Sequence, residues 1–146
     1  MPRFFTLEQA RRLIPDVDAA IRDAVFLMSE FQQAESELLN ARRQIVMMGG
    51  TLVDRDRLIA QKSRGETSAV KLNEAVEKIH SFGCQVKDLD LGLIDFPSLY
   101  RGKEVCLCWK LGETGIDYWH GVSEGFQGRK KIDQEFLDNH KGDLTH

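Results

Sequence analysis

Two adjacent glycines, Gly49-Gly50, stand between two stretches of similar length whose apolar residues recur three and four positions apart, and this arrangement constrains the fold more than any other feature of the chain. The first stripe runs Val17, Ile21, Ala24, Met28, Phe31, Leu38 and Ile45; the second runs Leu52, Val53, Leu58 and Ile59, then Ala69, Leu72, Val76 and Ile79. Such spacing places one apolar face on each of two helices, and glycine just beyond a helix end stops it readily. The arms 17–48 and 52–82 thus predict an antiparallel helical hairpin, roughly 45 Å long at about 1.5 Å per residue. Glu35 and Arg42 interrupt the first stripe. The preferred reading is that the stripe drifts there to Ala34, Ala41 and Met48, as a straight helix drifts against a seven-residue repeat; the alternative is that the two charges meet a partner helix.

The start of the first helix is written in Phe5-Thr6-Leu7-Glu8-Gln9: Thr6 and Gln9 form a capping box, with Phe5 as its apolar staple, so the helix should begin at Leu7. Pro15 removes a helical donor and disfavours helical angles at Ile14, which predicts a break there. Gly65 weakens the second arm, leaving open whether it is one helix or two pieces. The tip of the hairpin, IVMMGGTLV, carries no charge over 45–53. Exposed apolar ground of that kind marks an association surface, so a homodimer is expected, with Ile45, Met47, Met48, Leu52 and Val53 at its interface.

After Gly83 the period changes. Runs at 84–88, 91–96, 104–111 and 116–120 are rich in Val, Ile, Tyr and Trp and are separated by Gly, Pro, Asp and Ser, the pattern of an antiparallel meander. A turn centred on Glu113-Thr114 pairs Lys110 with Asp117, Trp109 with Tyr118, Cys108 with Trp119 and Leu107 with His120. Alternation then places Leu107, Trp109, Tyr118 and His120 on the face toward the helices, and Glu104, Cys106, Cys108 and Trp119 on the other. A similar turn at Arg101-Gly102 sets Asp95 opposite Cys108, although Pro97 interrupts that strand.

Cys106 and Cys108 share one side of a strand about 7 Å apart, too far for an easy disulfide. A metal site would need two more ligands, and this register puts His120 on the wrong face, so buried structural thiols are expected and no metal or other cofactor. The remaining candidate is a ligand pocket at the strand ends, formed by Asp95, Tyr100, Glu113, His120 and Arg129, able to bind an anion or to move a proton. Plain packing of these residues is favoured over it. Gly121, Gly125 and Gly128 match no phosphate-binding pattern.

A net charge of −3 with no strongly basic segment argues against nucleic acid. No run has the length of a membrane span, and MPRFFTLEQARR lacks the apolar region of a signal peptide. Three cysteines, an odd number, fit reduced thiols and a cytoplasmic location.

FTLEQARRLIP at 5–15 and VKDLDLGLIDFPSLYRGKEVCLCWKLGETGIDYWHGVSEGFQGR at 86–129 resemble the bacterial family of uncharacterised proteins known as domain of unknown function 2203, above all in GLIDFP, LCWKLGE, YWH and GFQGR. The resemblance implies a cytoplasmic prokaryotic protein and brings no activity, substrate or catalytic residue.

The expected fold is α+β, a single domain over 1–146: a helical hairpin over 6–83, an antiparallel sheet of three or four strands over 84–129 packed at its base, and a tail over 130–146 that is partly helical or frayed. The expected function is a non-enzymatic interaction or assembly module that self-associates through the hairpin. The alternatives are a small-molecule or anion-binding protein or enzyme with a pocket near His120 and Arg129, and a thiol or metal sensor using Cys106 and Cys108.

Overall fold

A computed structural model describes residues 3–47 and 55–143. Helix α1 spans Leu7–Met47 and α2 spans Arg55–Ser81. A six-stranded antiparallel sheet follows, with β1 (Gln85–Asp88), β2 (Leu93–Tyr100), β3 (Lys103–Lys110), β4 (Tyr118–Gly121) and β5 (Lys130–Lys131) in spatial order, and β6 (His140–Lys141) paired with β2. A 3-10 turn at Phe126–Gly128 precedes β5, and a short helix α3 (Gln134–Asn139) precedes β6. The class is α+β, as expected, with more strands than the three or four anticipated.

The capping box forms as written: Thr6 N donates to Gln9 Oε1 (2.9 Å) and Gln9 N to Thr6 Oγ1 (3.1 Å). The break at Pro15 does not occur. Arg11, whose carbonyl loses its donor, and Pro15 itself lie on the solvent side of α1, while Ala10, Val17 and Ile21 bury one continuous stripe against the core. Farther along, Ala34, Leu38 and Ala41 are buried whereas Glu35 and Arg42 are exposed, so the stripe drifts within one continuous helix. Arg64 of α2 pairs with Glu37 (2.7 Å) and Glu30 (3.5 Å) of α1 across the hairpin.

The second arm is one helix, and Gly65 lies buried in it where α2 crosses α1. A Cβ there would lie 3.4 Å from Glu35 Oε1 and 4.0 Å from the Ala34 Cβ, ordinary contact with a flexible carboxylate and a methyl group. Gly65→Ala is therefore expected to raise stability by about 0.5–1 kcal/mol through helix propensity, read as a higher urea midpoint; a lower midpoint would show that the two backbones need the closer approach. Of the residues expected at the interface, Met48, Leu52 and Val53 lie outside the described residues. Ile45 is half-buried and Met47 is exposed.

The core lies where the N-terminal half of α1 and the C-terminal end of α2 cover one face of the sheet: Phe5, Val17, Ile21, Ala75 and Ile79 meet Ile94, Phe96, Leu107 and Trp109. Gly83 ends α2 in the left-handed region, φ +97°, and Arg3 and Phe5 leave no room for a side chain there. Pro97 stays within β2 because its carbonyl, and with it the donor-less nitrogen, faces the gap between β1 and β6, where Phe5 N donates to it (2.7 Å).

Up to residue 143 the tail is not frayed. Asp143 N donates to Phe4 O (2.9 Å), Phe4 N donates to Asp143 Oδ2 (3.0 Å), and His140 Nε2 accepts from Leu7 N (3.0 Å), capping α1. Phe136 is fully buried between Tyr100 and Trp119. A polar terminal segment is thus held by the orphan amides of a helix and by an aromatic anchor.

Candidate functional site

β2 and β3 pair as expected, with Asp95 opposite Cys108 and Pro97 opposite Cys106. The pairing of β3 with β4 differs from expectation by one residue: Cys106 faces His120 and Cys108 faces Tyr118. The tight turn is the reason. The Lys110 carbonyl accepts from Glu113 N (2.9 Å) to close a turn containing Gly112 at φ +99°, but the chain then buries Ile116 and delivers β4 only at Tyr118. Trp109 Nε1 donates to Glu113 O (3.2 Å), fixing this loop. A shift of one residue turns every β4 side chain over. His120 and Tyr118 therefore lie on the face away from the helices, with Cys106, Cys108 and Asp95, and the Lys110–Asp117 pair is not made.

Asp95 and His120 are 3% and 4% exposed, and Cys106 and Cys108 are buried with them. His120 Nε2 lies 3.1 Å from Asp95 Oδ1, and His120 Nδ1 lies 2.7 Å from Gly121 O. The carbonyl can only accept, so Nδ1 carries a proton and the Nε2 lone pair faces the carboxylate; a cation, a proton or a metal, has to sit between the two. Ligand atoms of Asp95, Cys106 and His120 all lie within 4.8 Å of one another. A tetrahedral ion with bonds of about 2.0–2.3 Å spaces its ligands about 3.3–3.8 Å apart, so a closure of about an ångström at the widest pair would accommodate one.

Next to these groups is a cavity of about 150 Å³ lined by Asp95, Cys108, His120, Lys87, Glu124 and Phe126, among others. Its outer wall is the 122–128 segment. Glu113 and Arg129, expected as ligand groups, do not line it and pair with each other instead: Arg129 Nη2 donates to both carboxylate oxygens of Glu113 (2.9 and 2.8 Å), and its guanidinium lies over Tyr118 (4.0 Å to the ring centroid) and over Phe126 of the wall (4.6 Å). Tyr100 is not at the site. It stacks on Phe136 and packs at a tilt against Trp119 on the helix-facing side, as its odd separation from Asp95 along one strand requires. Of the five expected pocket residues, Asp95 and His120 converge, Glu113 and Arg129 pair with each other outside the cavity lining, and Tyr100 points away. Lys87 and Glu124 were not anticipated. Lys87 lacked a signal because a bulge in β1 places it, whereas Glu124, three residues after Gly121, carried the spacing of a turn-capping side chain.

Burial, reinforced by the negative charge of Asp95, pushes the Cys106 and Cys108 thiols up to about 12, and burial pushes Cys84 to about 11. At neutral pH Cys106 and Cys108 then hold roughly a thousandfold less thiolate than free cysteine. The metal-free native protein is expected to react with a thiol reagent such as dithionitrobenzoate far more slowly than the denatured chain, which should titrate all three cysteines at once. Fast native labelling would contradict the buried placement.

These features define an α+β protein in which a helical hairpin covers one face of an antiparallel sheet and the opposite face carries a buried Asp–Cys–His group beside a small cavity. The chain belongs to the family of uncharacterized conserved proteins DUF2203, whose model matches residues 3–132. Comparison with curated proteins and with solved structures finds no match. Among the described residues no helix is long and apolar enough to cross a membrane.

Proposed function

We propose that the protein binds a divalent transition-metal ion through Asp95, Cys106 and His120. The observation that carries this reading is the convergence of one oxygen, one sulfur and one nitrogen ligand, all on buried residues of three adjacent strands, with the imidazole already oriented by the Gly121 carbonyl. That orientation is the outer-shell contact metal-bound histidines commonly make, and the mixed donor set suits zinc and its neighbours better than calcium or magnesium. Reduced thiols fit a cytoplasmic setting.

Protein purified under reducing conditions and loaded with cobalt(II) is expected to bind one equivalent and to show a thiolate-to-cobalt charge-transfer band. Cys106→Ser should abolish the band, and His120→Gln should lower affinity at least tenfold. Absence of the band with properly folded wild type would end the proposal.

Self-association is a second reading, supported by Val46 and Met47, which are 78% and 85% exposed at the distal end of α1. Light scattering tests it: a dimer that Met47→Asp converts to a monomer supports the reading, and a wild-type monomer removes it.

A further inference from the structure

We propose that the cavity beside Asp95 and His120 binds a small monoanion, of carboxylate or carbonate size, that completes the coordination of the metal and is held at its other end by Lys87. This rests on the metal reading above. The structural basis is the bulge in β1: Val86 pairs with Ile94 and Asp88 with Leu93, so Lys87 is the extra residue, left out of the ladder. Bulges re-aim side chains, and Lys87 lines the cavity that Asp95 and His120 also line.

Charge sets the class of ligand. A divalent ion bound by one carboxylate and one thiolate is left neutral. Glu124, also at the cavity, is taken up by Lys130 (2.6 Å) and by Gly121 N (2.8 Å). Glu113 and Arg129 neutralise each other, and Lys110, which does not line the cavity, stands over the face of Phe126 (5.5 Å to the centroid). Lys87 is the one cation that lines the cavity and makes no ion pair among the described residues, which suits a ligand carrying one negative charge. Size sets the rest: about 150 Å³ holds a few waters or one molecule of a few heavy atoms, and excludes nucleotides and sugars. The three protein ligands leave a tetrahedral ion one open position, the arrangement of reactive rather than purely structural sites.

The experiment titrates acetate, and separately inorganic phosphate as a bulkier and more highly charged comparison, into the cobalt(II)-loaded protein while the visible spectrum is followed. Acetate is expected to shift the spectrum saturably and more tightly than phosphate. Lys87→Gln should raise its dissociation constant at least tenfold with cobalt stoichiometry unchanged, and Val122→Trp, at an exposed position on the cavity lining, should also weaken acetate without affecting cobalt. Cobalt binding with no acetate response, with phosphate preferred, or with full acetate affinity in Lys87→Gln overturns the anion proposal and leaves the metal reading standing. Failure to bind cobalt at all overturns both.

Discussion

Replacing His120 by alanine is expected to destabilise the metal-free protein by about 3–5 kcal/mol, because it strands the Asp95 carboxylate in a buried site without the proton the two groups share. Asp95 and His120 are both almost completely buried, and no other described cation pairs with that carboxylate. The loss should appear as a lower urea midpoint with little change in slope. Asp95→Ala should cost a similar amount for the mirrored reason. The double variant should cost less than the sum of the singles by about 0.5–3 kcal/mol, the coupling range for residues in direct contact. Additive losses would mean that the two side chains do not share a proton. A single loss below about 1 kcal/mol would mean that solvent reaches the site more freely than its burial implies.

Trp109→Ala is the second large effect. Trp109 is 0% exposed, belongs to the core between helices and sheet, and holds the 111–117 loop through its indole N–H. Large aromatic truncations in a core cost about 3–5 kcal/mol, which for a chain of this size lowers Tm by roughly 10 °C or more. Because the same indole fixes the loop that sets the register of β4, Trp109→Ala should also impair cobalt binding, although Trp109 touches none of the three ligands. Trp109→Phe, which keeps most of the packing and loses the hydrogen bond, should recover most of the stability. A Trp109→Ala variant with normal stability would place the indole outside the core. A destabilised variant with normal cobalt affinity would mean that the register does not depend on it.

Both results turn on the feature that separates expectation from structure. The helices, their capping box, the drift of the stripe to Ala34 and Ala41, and the Asp95–Cys108 pairing were legible because each depends on spacing within a few residues or across a short turn. The site was legible only in part. Asp95 and His120 meet, but the register expected from the turn puts His120 on the opposite face, and Tyr100 lies on the other side of the sheet from the residues expected beside it. The charge match between Lys110 and Asp117 favoured a register that the structure does not use; burying Ile116 and seating Trp109 against the Glu113 carbonyl outweigh one exposed cross-strand pair. Pro15 misled for a related reason: tertiary packing of one helix face outweighs a single lost hydrogen bond on the solvent side.

By itself, then, the sequence determined the elements, since hydrophobic period, caps and glycine stops act locally. It also determined which residue types could carry chemistry. Only the tertiary structure decided which of them meet. A strand has two faces, and one residue more or less in the 111–117 loop decides whether His120 joins the helical core or the cysteines. That choice rests on how well Ile116 and Trp109 fill space among residues distant in sequence.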